Sequence, residues 1–536
     1  MRNWPRTSPP IRRRIKERLS RLALGFASSL PKFQGGPIHN LQVHLEFNKK
    51  LHDYDLTSLP EGLDFSLLEV IYSDIFLQED YDKLQAGLRN MIEPWKPWWT
   101  GGREDEDIPN MFASIRRFRR GGAWYNLNAV DFKRAREVKN PPKMTPELAD
   151  IAYLQLTVIS PSIVSLAISV VPSDMFQGRL RELLSRNEKQ QTIIDKFSLR
   201  YGLGRSRSIS ATGVRQGQLE RLFLQLQKEI VAILRAYIKT GLAMHGPVPS
   251  IQVFVTNREF ENELPVTDMR ANLSQHELAF WRTFGITPDD YIAYYSEWLT
   301  VFPSDSRGDD RYGTWKAVID RKKFLEGESI EHYGGEQSAM RYLSDSKLES
   351  LATMASLQEH VNHIAREVTV LREELSPVLV GRIPWLYRLK GTAHLLFRMV
   401  KVRQSEFLAK RVRTELNEED LKYHFAAHGF GGFVRRRHNI GDEKVSFVKD
   451  LLWQVDQAVK FIEAQLGVLK QSYEDTLETA MANTNLRVQN RIFWLTVAVV
   501  GLTLVLVALT WLLTPQVTRD SITQIAKCVL ARFSRY

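Results

Sequence analysis

The 536-residue sequence predicts an α+β N-terminal cytosolic domain, then a helical coiled-coil stalk, then one C-terminal transmembrane helix. Three observations lead there. Over residues 38–335, short apolar runs of strand character are mixed irregularly with amphipathic helical stretches. Two heptad seams follow within residues 340–490. A run without a single charge, Ile492–Leu513, comes next. A basic amphipathic arm, residues 1–37, precedes this plan, and an amphipathic basic tail, residues 514–536, follows it.

Composition sets the frame. Apolar residues make up 43% and charged residues 25%, an ordinary globular mixture with ample core. Lysine and arginine outnumber the acids 73 to 62, for a net charge of +11. That surplus favours anionic partners, lipid headgroups or phosphates. The single cysteine, Cys528, rules out an internal disulfide and fits a reducing compartment.

In the arm, Ile11, Ile15, Leu19, Leu22 and Phe26 fall on one helical stripe, while Arg12, Arg13 and Arg14 lead the basic remainder. That pattern suits an anionic membrane interface, a flexible or core-docked basic arm, or, in a eukaryote, an organelle transit peptide. In the α+β region, Leu41–Phe47, Ile251–Thr256 and Thr314–Lys322 read as strands. Ile151–Ile159 and Ile163–Val171, separated by Ser-Pro-Ser, read as a buried hairpin. Residues 218–246 read as a long helix with Gly246 as terminator. Trp95, Trp98 and Trp99 are expected to pack a proline-rich loop onto the core. The serine- and arginine-rich stretch 202–217 lacks the lysine and spacing of a phosphate-binding loop and reads as a surface loop.

The first seam is Met354, Leu357, Val361, Ile364, Val368, Leu371 and Leu375, ending at Pro377. The second starts at Val445 and runs through Val448, Leu452, Val455, Val459, Ile462, Leu466 and Leu469 to Tyr473. Alternating steps of three and four suit packing within one chain and between sister chains equally. The stretch between the seams, residues 382–443, is strongly basic. Arg435, Arg436 and Arg437 there could meet anionic lipid or a phosphate-bearing ligand, or form a solvated face. His360 and His363 flank the first seam and are expected to face solvent.

Ile492–Leu513 would extend about 33 Å as a helix, enough to cross a bilayer core. Trp494 and Trp511 stand near its ends, where interfacial indoles are favoured. Thr496, Thr503 and Thr510, seven apart, share one face that could support helix association. Without a signal peptide the large N-terminal part should stay cytosolic. The basic residues Arg519, Lys527, Arg532 and Arg535 beyond the span pull the other way under the positive-inside rule.

No motif for catalysis, cofactor or metal stands out. His424 and His428, one turn apart near His438, have no cysteine or carboxylate to complete a zinc set. Asp320 with Lys322 and Lys323 lacks the second acid that a nuclease-like pairing requires. In layout, the last hundred or so residues resemble the CorA-type divalent-cation channel family: a mixed cytosolic domain, a long stalk helix and a C-terminal membrane helix. The resemblance implies single spans gathered around a pore, with the threonine stripe facing the lumen. The chain departs from that family after the span, where Leu512-Leu513-Thr514-Pro515 stands in place of a Gly-Met-Asn signature, and no second full span follows.

The reading that follows is a single-pass, membrane-anchored sensor or scaffold. Its partners would be the lipid bilayer, sister copies through stalk and span, and an anionic lipid or phosphate-bearing ligand. Nucleic acid is not expected. A channel or transporter relative, and an enzyme with an unrecognised site in the α+β domain, are the alternatives.

Overall fold

A computed structural model describes residues 57–100, 107–117, 123–188, 191–194, 206–244, 248–258, 274–286, 294–296, 298–302, 314–328, 330–379, 434–435, 445–513 and 516–533. It also describes helical residues 400, 407, 410–411 and 413–415. The basic arm, the strand expected at Leu41–Phe47, and His424, His428 and His438 lie outside these. Contacts divide the chain into two units, Met1–His363 with Arg411–Lys460, and Ile364–Lys410 with Phe461–Tyr536.

The first unit is built on a mixed sheet with helices. Strand β1 (Phe65–Leu77) leads through a 3-10 turn into α1 (Tyr81–Ile92). The segment Glu93–Trp98 then packs Trp95, 1% exposed, against Phe132, and Trp98 and Trp99 onto the same core. After β2 (Trp99–Thr100) come α2 (Asp107–Arg117), β3 (Ala123–Asp131) and α3 (Phe132–Glu137). The hairpin expected from Ser-Pro-Ser is β4 (Ala149–Ser160) against β5 (Ile163–Pro172), paired antiparallel. Next are α4 (Asp174–Leu184) and the separate ribbon β6 (Gln191–Ile194) with β7 (Ser206–Ile209).

Helix α5 runs Ala211–Tyr237, starting and stopping earlier than the sequence suggests. Ser210 accepts a hydrogen bond from the Gly213 amide and caps it, so part of the stretch read as a surface loop is strand and helix. The helix ends before Gly246 because the chain turns at Gly241, where φ is +85°. A Cβ there would stand 2.6 Å from Asp74 Oδ2. That carboxylate accepts from the Ala243 amide at 3.0 Å and ties the turn to β1.

β8 (Ser250–Thr256), α6 (Gln275–Thr283), β9 (Tyr294–Ser296), β10 (Leu299–Phe302) and β11 (Thr314–Asp320) follow. Strand β11 stops at Asp320 rather than Lys322, because the Asp320 carboxylate accepts from the Lys322 and Lys323 amides and caps α7 (Arg321–Gly327). Asp320 therefore serves as a helix cap. Helix α8 (Glu336–Leu379), β12 (Val434–Arg435), β13 (Val445–Ser446), α9 (Phe447–Leu513) and α10 (Gln516–Phe533) complete the order.

The large sheet has the order β13-β12-β9-β10-β11-β8-β1-β5-β4-β3-β2. Among the described residues, only β8 and β11 pair in parallel. One face of its centre carries an aromatic and aliphatic core: Phe65 stacks on Phe254 and meets Phe280, Trp281 and Phe284 edge-on or tilted, while Leu219, Leu226 and Ile230 of α5 cover Val70, Leu154 and Ile168. Burying such side chains contributes about 1.5–3 kcal/mol each.

The second unit contains the C-terminal parts of α8 and α9 together with α10. Within it the two long helices meet, Arg372 donating to Gln465 at 3.5 Å. Ile364, Val368, Ile462, Leu466 and Leu469 are buried there. Asn485–Thr510 of α9 is long and apolar enough to cross a membrane. Leu495, Leu502 and Leu512 are each more than 60% exposed.

Gly241→Ala is expected to lower stability by about 1–3 kcal/mol, because the left-handed backbone and the Asp74 contact both resist a Cβ. Thermal unfolding of the variant against the parent measures it.

Candidate functional site

The opposite face of the sheet centre is polar. Glu69 and Ser73 of β1, Ser165 and Ser169 of β5, and Gln155 of β4 alternate with Ile71, Ile75 and Ala167 on that side. Helix α8 lies over it. Its stripe Arg341, Asp345, Glu349, Thr353, Ser356 and His360 repeats every three or four residues, as one helix face must. A helix normally turns an apolar stripe inward; here much of the inward stripe is hydrophilic.

Hydrogen bonds run along the whole contact. Ser169 donates to Asp345 at 3.0 Å, and Ser344 to Glu69 at 3.4 Å. Thr353 donates to Ser165 at 3.2 Å, Ser165 and Ser73 share a bond of 2.8 Å, and Ser356 donates to the Ser73 carbonyl at 2.8 Å. Small side chains on both elements let the backbones approach, and the hydroxyls satisfy one another where water is excluded.

Three carboxyl groups meet at one end: Glu69, fully buried, with Asp345 and Glu349. Arg341 is the cation among them, 3.7 Å from Glu69, with its guanidinium 5.8 Å from the Tyr153 ring centre. Gln155 hydrogen-bonds Glu349. Burial comes first in raising all three acids, and the neighbouring carboxyls add to it for Glu69 and Glu349. Asp345 is pushed from 3.8 to about 6, held from rising further by Ser169, Glu69 and Arg341. Glu69 and Glu349 rise well above the usual carboxylate range. Burial thus favours the neutral forms of these acids, while Asp345 accepts from Ser169 and is the least raised of the three.

A second polar cluster ties Arg411 and Glu415 to the hairpin end of the sheet. Ser160 and Ser162 donate to the Glu415 carboxylate. Arg411 donates to Ser162 at 3.0 Å, to Glu79 at 2.7 Å and to Gln78 at 2.9 Å. Arg411 and Glu415 face each other one turn apart, at 3.3 Å. Arg411 thus spreads its donors over four partners in a partly buried cluster, stronger than an exposed pair.

Among the described residues no group of three metal-ligating side chains is placed to hold an ion. A cavity under the other sheet face, lined by Trp95, Phe132 and Ile233 among others, has room for about 20 Å³. That is a single water, not a substrate.

The residues singled out by sequence are distributed as follows. Met354, Leu357, Val361, Val455 and Val459 are buried in the first unit. Leu371, Leu375, Val448 and Leu452 lie on α8 and α9, with side chains outside the described set, as do Trp511 and Leu513. Arg435 is in β12, paired with Tyr294; Arg12, Arg13, Arg14, Arg436 and Arg437 are not described. Ile492 and Trp494 are exposed. Thr496, Thr503 and Thr510 donate to the carbonyls of Ile492, Val499 and Leu506 at 2.8, 2.8 and 2.7 Å. His360 and His363 are half-buried rather than solvent-facing, because the polar stripe of α8 turns inward. The carboxyl cluster was missed; its available signal was Glu69, an acid within the largely apolar strand β1.

No protein-family model matches the chain. No curated protein matches it in sequence.

Raised carboxyls bind protons more tightly in the folded chain than in the unfolded one. Their contribution to stability is full below the ordinary carboxylate range and is lost as pH climbs through about 6 and above. Melting temperature is therefore expected to fall between pH 5 and pH 7.5. Asp345→Asn should remove much of that slope and stabilise the protein at pH 7.5 by about 1 kcal/mol, roughly 2–4 °C. Arg341→Met should steepen the slope and destabilise at pH 7.5 more than at pH 5. Calorimetry across that range measures all three.

Proposed function

We propose that the chain is a single-pass membrane protein whose α+β part is a cytosolic sensor or scaffold module without chemistry of its own. The observation that carries this reading is α9. One uninterrupted helix of 67 residues begins immediately after strand β13 and includes the exposed apolar stretch Asn485–Thr510. Leaving that many large apolar side chains in water is unfavourable by roughly 25 cal/mol per Å², and a bilayer removes the cost. The threonine back-bonds support a hydrocarbon setting, since each hydroxyl is satisfied within its own helix.

In this reading the heptad positions of α8 and α9 pair within the chain and, through residues left over, with sister copies. An anionic lipid or phosphate-bearing ligand remains the favoured binding class, on the +11 charge of the chain. A channel relative is the second reading. It rests on the order of mixed sheet, long helix and span, and it requires the threonine face to line water. Satisfied hydroxyls weigh against that.

The anchor is tested by alkaline carbonate extraction of membranes from expressing cells. The full chain should stay in the pellet, and a chain ending at residue 484 should be released. Recovery of the full chain in the supernatant would overturn the reading. Protease added to cytosolic-side-out vesicles should digest the sheet domain, and reconstituted protein should give no cation conductance above that of empty bilayers.

A further inference from the structure

We propose that α10 lies flat in the headgroup layer of the bilayer, as an interfacial anchor joined directly to the span. The inference rests on the membrane reading of α9 and assigns a lipid surface to an otherwise uncovered helix face. Ile522, Ile525 and Val529 stand at i, i+3 and i+7, so they share one side of the helix, with Leu530 at its margin. All four are large and apolar, yet they are 50%, 64%, 49% and 69% exposed. Lys527 projects from the opposite side. Over the helix three basic residues, Arg519, Lys527 and Arg532, stand against one acid, Asp520.

Three observations choose lipid as the occupant. The first is continuity. Only residues 514 and 515 separate α9 from α10, a connection of roughly 10 Å at full stretch, so α10 begins at the membrane surface whichever way the span points. The second is length and charge. Eighteen residues rise about 27 Å, short of a bilayer core, and Asp520 and Lys527 would sit inside it. A second crossing is thus disfavoured, while an in-plane helix keeps its charges in water. The third is complementarity, since a basic helix with one apolar face matches an anionic interface and sinks about 5–10 Å into it.

The sole native cysteine makes the test clean. Full-length protein carrying Cys528→Ser is given single cysteines by Leu502→Cys, Ile525→Cys, Lys527→Cys or Val529→Cys. Each is spin-labelled and reconstituted in nanodiscs of phosphatidylcholine and phosphatidylglycerol. Collision rates with oxygen, which enters lipid, and with a nickel chelate, which stays in water, give depth. The proposal expects Leu502 deepest, Ile525 and Val529 several-fold richer in oxygen than in nickel collisions, and Lys527 the reverse. Leu502 deep with Ile525 and Val529 as wet as Lys527 overturns this inference and leaves the anchor standing. All three tail positions deep means a second span, and Ile525 and Val529 shielded from both reagents means protein packing; either overturns it. Leu502 itself wet removes the anchor and the inference together.

Discussion

Strand β1 is buried on both faces, and much of the first unit follows from that. One side must supply aromatic and aliphatic surface to the helices of the core, and Phe65, Val70 and Tyr72 do so. The other side, Glu69, Ser73 and their neighbours on β5, has to find partners for polar groups that water cannot reach. Helix α8 provides them. A helix bound through hydroxyls and carboxyls is held by direction as well as by burial: a register slip along the sheet would leave several donors and acceptors unpaired at once, each at a cost of about 1–3 kcal/mol. An apolar contact of the same area would tolerate sliding far better.

This directional grip stands beside a contrasting segment at the other end of the chain. The exposed part of α9 has almost nothing polar to offer, and its three threonines spend their hydroxyls on their own helix. Between the two, α8 and α9 contribute residues to both compact units. The molecule thus combines a polar, geometrically exacting contact with an exposed apolar helix long enough to cross a membrane.

Much of the layout was legible in the sequence. The β4–β5 hairpin announced itself through two apolar runs and a Ser-Pro-Ser break, and the apolar stretch of α9 through twenty-two residues without charge. The limits had physical causes. The start of α5 was hidden because Gly213 and Gly217 read as loop residues, whereas the Ser210 cap fixes the helix upstream of them. The end of β11 was hidden because Asp320 looked like a chemical group and is a cap. Above all, α8 was read from Met354, Leu357 and Val361, which left its charged residues to solvent. Periodicity identifies which residues share a face, but a face bearing arginine, aspartate and glutamate gives no hint that serines on a distant strand await it. Candidate sites built from such complementarity appear only when both elements are in place.

The edge of the large sheet carries a further consequence. Val434 pairs with Tyr295, so β12 joins β9 from 139 positions downstream. Closing so long a loop is entropically slow, and strands with distant partners assemble late. Until β12 and β13 arrive, β9 is an open ladder of amides and carbonyls that another polypeptide could extend. The same few residues that finish the sheet also lead straight into α9. Completion of the edge and the start of the long helix therefore share one short segment, Val445–Phe447, so whatever loosens one loosens the other.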